Sequence, residues 1–356
     1  MSGKLTSLLR AMDPLRFIGR PNTMRFFGKT GITPKMITKL PKVSLLVVLA
    51  LVSCAVYLYV RYAAAGAKEG SGAEVTQNAP KVDQNKVKQA AKWLSETIET
   101  LENYPSISAN VRYRADLYGN QLGGTGEYRE QRSGPIPKVL LKLEMPLADK
   151  MGALVEVCDG YSLWTYRRLI DDEKLTRINV RRVAQEMAEA GEYAPVEPMT
   201  GTIGMGGLAG LLRELRQNFQ FELLGPSQFQ SEPATQLRGR WRPNRLAALL
   251  PDQKDAILGG EQADLTKLTP HLPTEVLLTF GRDNRLPYRI EYRRSAATET
   301  EKDGGVTLEW FNLSVTDRMK PSDFEYYPGD VKWLDMTENL VKKIKARSKA
   351  SKPKKK

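Results

Sequence analysis

The spacing of apolar residues changes character three times along the chain. Residues 43–60, VSLLVVLALVSCAVYLYV, run for eighteen positions without a charge or a helix breaker. At 1.5 Å per residue such a helix spans about 27 Å, close to the hydrocarbon thickness of a bilayer. Tyr57, Tyr59 and Tyr62 gather at its C-terminal end, where amphipathic rings favour the membrane interface. The pattern predicts one transmembrane signal anchor over residues 43–62. Residues 63–85, rich in Gly, Ala and Ser with no apolar period, read as a flexible linker. From Lys86 to Asn103 the apolar positions Val87, Ala90, Ala91, Leu94, Ile98 and Leu101 fall at helical spacing, with Lys88, Lys92, Glu96 and Glu99 elsewhere on the cylinder. This predicts an amphipathic helix packed on its own domain.

Beyond Ser106 the period drops to two. Val111, Tyr113, Ala115 and Leu117 alternate with polar residues, as do Val139, Leu141, Leu143 and Met145, the signature of half-buried strands. Gly119-Asn120 and Gly123-Gly124 punctuate a hairpin into Gly126–Arg132, and Asp159-Gly160 makes a tight turn between Leu154–Cys158 and Tyr161–Arg168. Leu175–Val180 continues the series. After predicted helices at Arg182–Ala190 and Leu208–Asn218, strands return at Phe219–Leu224, Gln236–Trp241, Thr274–Phe280, Pro287–Arg294 and Val306–Asp317. In the last of these Phe311, Leu313 and Val315 fall on one face and Leu308 and Trp310 on the other, so both faces of the sheet are expected to be partly covered.

Charge sharpens this layout. The 356 residues carry a formal +13, but residues 1–42 hold +8, residues 342–356 hold +9, and everything between is left with −4. The folded part is mildly acidic, which removes the argument for a specific nucleic-acid partner. The basic N-terminal flank places residues 1–42 in the cytoplasm and the rest outside it, at an inner (cytoplasmic) membrane crossed once, with the C-terminal domain periplasmic. Lys342–Lys356 reads as a basic disordered tail, part of a terminal segment 336–356, able to meet an anionic surface at about 1 kcal/mol per residue. Leu51-Val52-Ser53-Cys54 fits a lipobox, which makes Cys54 a possible lipidation site; the long preceding region and the apolar run continuing to Val60 favour an uncleaved anchor.

The strand motifs carry a family resemblance. GxGxY at Gly124–Tyr128, the hairpin Cys158-Asp159-Gly160-Tyr161-Ser162-Leu163-Trp164-Thr165-Tyr166, Leu272-Pro273-Thr274-Glu275-Val276, and a final strand followed by Phe324 and Pro328 resemble the LolA-like superfamily of periplasmic lipoprotein carriers and receptors. The resemblance covers residues 86–335. It implies an α+β fold: an unclosed antiparallel β-barrel, a curved sheet of about ten to eleven strands, with helices lidding a hydrophobic cavity that holds acyl chains. The stretch Arg181–Leu272 is longer than that family's usual helical insert, and no local motif marks a lid-locking arginine. A chain that stays anchored fits a lipoprotein acceptor, holder or lipid sensor better than a soluble shuttle. The same fold could instead serve as a protein-binding structural or signalling module of the envelope, with an envelope protein as partner.

Candidate chemistry is sparse. One histidine and two cysteines offer no multi-histidine or CxxC metal site, and no cofactor is implied. His271, beside Pro270 and Pro273, has no GxSxG nucleophile near it. Asp171-Asp172-Glu173 is an acidic turn facing water, and Cys158 reads as a buried apolar residue. Catalysis is not expected. The glycines at 201, 204, 206, 207 and 210 lack the Gly-Lys-Ser/Thr ending of a phosphate loop and read as a hinge, with Met199, Met205 and Leu208 as a lid over the cavity. The wall of that cavity is assigned to Val111, Tyr113, Leu141, Leu143, Trp164, Tyr166, Trp241, Tyr292 and Trp310, large groups spread across the strands.

Overall fold

A computed structural model describes residues 83–351 except 118–119, 148–149, 170–171, 191–202, 270–271, 295–303, 316 and 318. The apolar run with Cys54, the basic residues before it and most of the linker lie outside the described residues, as do Met199 and His271. Among the described residues no helix is long and apolar enough to cross a membrane.

Helix α1 (Gln84–Asn103) starts where Asp83 accepts the backbone N–H groups of Asn85 and Lys86 at 2.9 and 3.4 Å, an N-cap satisfying donors the helix leaves unpaired. Six strands follow: β1 (Ser106–Leu117), β2 (Asn120–Gln131), β3 (Lys138–Leu147), β4 (Lys150–Cys158), β5 (Ser162–Leu169) and β6 (Asp172–Asn179). Helices α2 (Val180–Ala190) and α3 (Ile203–Asn218) lead to β7 (Phe219–Phe229) and β8 (Glu232–Trp241). A helical insert with α4 (Pro243–Leu249) and α5 (Lys254–Leu258) closes on its own cluster of Leu246, Leu250, Ile257, Leu268 and Leu272. Strands β9 (Glu275–Gly281), β10 (Pro287–Arg294), β11 (Gly304–Ser314) and β12 (Trp333–Asp335) and helix α6 (Thr337–Ser351) complete the chain.

All twelve strands join one sheet in the order β12-β6-β5-β4-β3-β2-β1-β11-β10-β9-β8-β7. Every pairing is antiparallel except β12 with β6. The ends β12 and β7 are both edges, so the sheet is unclosed. It is also strongly bent. Helix α3 packs against β3 and β4 and also against β7, and β4 and β7 are eight steps apart in the strand order. A flat sheet would separate them by about 38 Å, several times the width of a helix. The sheet must therefore wrap around α3. This is the half-barrel that the resemblance implied, with one strand beyond the ten or eleven expected, because a three-residue β12 is too short to show a period of two.

Two glycines expected to mark a turn do otherwise. Gly123 and Gly124 lie inside β2, which begins at Asn120. A Cβ on Gly124 would come within 2.5 Å of the Tyr113 ring, so this glycine lets an aromatic side chain of the neighbouring strand lie flat across β2.

The basic C-terminal run differs from its reading as a disordered tail. Through Ser351 it is helix α6, whose Leu340, Val341 and Ile344 are buried against Val183 of α2. Apolar residues at i, i+1 and i+4 give one side of a lysine-rich helix something to bury, which charge composition alone conceals.

Candidate functional site

Residues on alternate positions of each strand face the helices, and register fixes which. Val111 pairs with Trp310, Tyr113 with Leu308, Leu141 with Tyr128 and Leu143 with Leu154. These side chains meet Leu94 and Leu101 of α1 and Leu208, Leu212 and Leu215 of α3 in one apolar cluster. Of the residues assigned to a cavity wall, Val111, Tyr113, Leu141, Leu143 and Trp310 lie here, none more than 1% exposed. The side chains of the helices pack directly against them. Trp241 and Tyr292 are half-buried at its margin: Trp241 lies 4.2 Å from the Phe219 ring and donates its indole N–H to the Pro273 carbonyl at 2.8 Å. Tyr292 neighbours Glu214 of α3, whose carboxyl burial pushes up to about 7.

Trp164 and Tyr166 stand on the other face. Trp164 pairs with Val157 and Arg177 and is enclosed by Tyr326 at 5.7 Å and Trp333 at 5.3 Å. The chain after β11 crosses this convex face, seating Phe324 against Leu140 and Val157. Assigned in sequence to the cavity wall, Trp164 lies instead under the segment that returns from β11, away from the concavity.

Inside the apolar concavity lie two carboxylates that the motif search passed over. Glu156 on β4 pairs with Leu141 and Thr165 and is fully buried. Glu130 on β2 pairs with Ile107 and is 1% exposed. Both meet the N-terminal turns of α3. Gly204 donates its N–H to Glu156 Oε2 at 3.1 Å, and Leu208 donates its N–H to Glu130 Oε2 and to Tyr128 Oη, each at 3.1 Å. Tyr128 donates its hydroxyl to the same Glu130 oxygen, and Arg132 Nη2 lies 2.5 Å from Glu130 Oε1. At Glu130 the positive end of the helix and an ion pair offset the cost of burying charge.

The glycines make this approach possible. A Cβ on Gly204 would fall 2.5 Å from Leu163 Cδ1 and 3.3 Å from Glu156 Oε2. Gly207 has φ 61° and ψ −160°, a region essentially reserved for glycine, and a Cβ there would strike the Glu130 carboxylate. The break at Gly207 turns the Leu208 N–H onto Glu130. What reads in sequence as a hinge loop is, from Ile203, helix clasped to the sheet. Leu208 is wholly buried and Met205 partly so. Because Gly204 and Leu208 donate to the protein's own acids, these amides are committed and hold no phosphate.

The electrostatics follow from burial. Glu156 is pushed up to about 8, desolvation outweighing the Gly204 hydrogen bond, so it is protonated at neutral pH. Glu130 is also raised by burial, with Arg132 the strongest opposing influence. Burial raises the Cys158 thiol to about 11, and it is a free, buried side chain as its alternation predicted. Among the described residues no group of His, Cys, Asp and Glu could hold a metal ion. The polar signal was present in the sequence: Tyr128, Glu130 and Arg132 alternate on one strand face, and Glu156 occupies a core position between Leu154 and Cys158.

No family model matches the chain, and no curated protein matches it. Solved structures do. A putative outer membrane lipoprotein-sorting protein domain from Vibrio parahaemolyticus superposes with a TM-score of 0.30 at 10% identity, covering 72% of this chain and 99% of that one. The lipoprotein LppX of Mycobacterium tuberculosis gives 0.32 at 12% identity over 65% and 96%. The MucA/MucB complex of Pseudomonas aeruginosa gives 0.35 at 14% identity over 67% and 61%. The chain's own strand order and helix placement make it an unclosed, almost wholly antiparallel sheet wrapped around helices.

Proposed function

We propose that the chain is a membrane-anchored envelope protein that holds lipid or lipoprotein acyl chains between its sheet and helix α3. In this reading residues 43–62 cross the inner membrane once, the half-barrel lies on the periplasmic side, and no chemical step is assigned to the chain. The observation that carries the reading is the clasp. Helix α3 covers an apolar wall, yet its first turns are fastened through two carboxylates buried at the expense of their hydration. Releasing α3 returns Glu130 and Glu156 to water, which offsets part of the cost of exposing Leu141, Leu143 and Leu154. A wall so uncovered calls for an apolar occupant, and acyl chains fit a long trough lined by leucines.

One observation favours a second reading. The inward wall residues are already packed to within 1% of complete burial, as expected of a protein-binding module that takes no cargo. A fatty acid carrying a photoactivatable diazirine separates the two in membranes containing the full chain. Adducts on β3, β4 and α3 are the expected result. Adducts confined to residues 43–60, together with an envelope protein recovered by crosslinking, would sink the acyl reading in favour of the second.

A further inference from the structure

Among the described residues, four of the seven exposed large apolar side chains gather at one edge of the sheet. Tyr161 is 56% exposed, Tyr327 74%, Trp333 46% and Leu334 52%. Their adjacency follows from the pairing. Trp333 and Leu334 form β12, beside Leu175 and Thr176 of β6. Trp333 meets Trp164, which meets Tyr326, the residue before Tyr327. Tyr161 precedes β5, accepts the Val180 N–H at the start of α2 with its carbonyl, and carries the Arg181 guanidinium over its ring at 3.3 Å. The start of α6 closes the group, since Thr337 Oγ1 accepts the Asn179 N–H at 2.8 Å.

Charged residues of both signs border these rings: Asp335 of β12 pairs with Arg177 at 3.7 Å, and Asp330 and Glu338 are exposed nearby. Arg177 lies 5.8 and 6.0 Å from the Trp164 and Trp333 rings. Lys332 and Lys342 are exposed on either side of β12. Lys345 sits on the exposed flank of α6, 3.3 Å from Glu186. Helix α6 buries Leu340, Val341 and Ile344 against α2, which leaves Lys342 and Lys345 on its exposed side. The charge is also polar at the scale of the chain. Residues 43–341 carry −4, while residues 342–356 carry +9. In a negative surface field the body formed by residues 43–341 is therefore turned away and this C-terminal end is drawn in.

We infer that the β12–α6 edge docks the folded domain onto an anionic lipid surface, with Trp333, Leu334 and Tyr327 entering the interface and Lys332, Lys342 and Lys345 facing headgroups. Exposed aromatic rings beside lysines match the chemistry of that boundary, where amphipathic rings settle at headgroup level and each nearby lysine gains about 1 kcal/mol. A compact apolar socket for a protein would be poorer in lysine, which is depleted from protein interfaces. The inference does not depend on acyl cargo, because the edge lies on the side of the sheet opposite β7 and outside the clasp.

The test uses the full chain reconstituted into vesicles of phosphatidylcholine, alone or mixed with phosphatidylglycerol. Brief lysine acylation is read by mass spectrometry. On the anionic vesicles Lys332 and Lys342 should label several-fold more slowly than on the neutral ones, with the rate restored by high salt, while Lys254 of α5 labels equally on both. The double variant Lys342→Glu, Leu334→Ser alters only exposed side chains and should abolish the difference with an unchanged melting temperature. Equal labelling of Lys332 and Lys342 on the two vesicle types, or protection that survives both high salt and the double variant, overturns the proposal. Neither outcome bears on the diazirine adducts, so failure here and failure of the acyl reading are distinguishable.

Discussion

Glu156 shows how one residue can set a property of the whole fold. It pairs with Leu141 across β3 and Thr165 across β5, and its single backbone donor is Gly204. Its carboxyl, raised from 4.5 to about 8, binds its proton more tightly in the folded chain than in the unfolded one. Folded stability is therefore highest below the unfolded value and declines as pH rises from about 4.5 through about 8, at up to about 1.4 kcal/mol per pH unit. Glu214, raised to about 7 by burial, acts with the same sign. Glu156→Gln keeps an acceptor for Gly204 and cannot ionise, so urea unfolding should show the variant retaining about 3 kcal/mol that wild type loses between about pH 5 and pH 8. Equal pH dependence in the two proteins would mean that Glu156 is hydrated. An acid at a core position was readable in the sequence. That helix α3 supplies its hydrogen bond was not, because Gly204 is 48 residues away.

At the scale of elements the least legible pieces were short or misleading in composition. Strand β12 has three residues, all exposed, and exists because Trp333, Leu334 and Asp335 find an open edge on β6. Helix α6 hides an apolar stripe among lysines, and the stripe becomes stable only against α2. Ile344 is fully buried there and Val341 2% exposed. Ile344→Asp places a charge in that seam. Hydrogen exchange of α6 and the facing turns of α2 should then accelerate by on the order of 100-fold or more, since local opening costs only what the seam supplied. Amides of β1 to β4 should be unaffected. Uniform acceleration across the sheet would instead show that α6 belongs to the global cooperative unit. Helices α1 and α3 and strands β1 to β11, by contrast, follow the segments read from their apolar positions to within six residues, because each is long enough to set several side chains against the core.

For the whole molecule the question is whether α3 leaves the sheet. Arg132 is the cation closest to the buried Glu130, and removing it leaves that carboxylate facing Leu208 and Tyr128 alone. Arg132→Gln should loosen the clasp and raise diazirine-fatty-acid adducts on β3 and β4 several-fold in the full chain. Unchanged adduct yield would argue that α3 is a fixed part of the core. The sequence by itself determined helices α1 and α3, strands β1 to β11 as segments, and the separation of basic termini from an acidic body, because these depend on neighbours within one or two turns of the chain. Which face became the interior was decided only by tertiary structure. Trp164 and Val111 are equally apolar positions on alternating strands, but the sheet's bend around α3 enclosed Val111, and the segment returning from β11 covered Trp164 from outside. The clasp likewise joins residues from β2, β4 and α3 that share no local pattern. Its geometry arises from closing the sheet around a helix whose glycines allow two buried acids to reach its backbone.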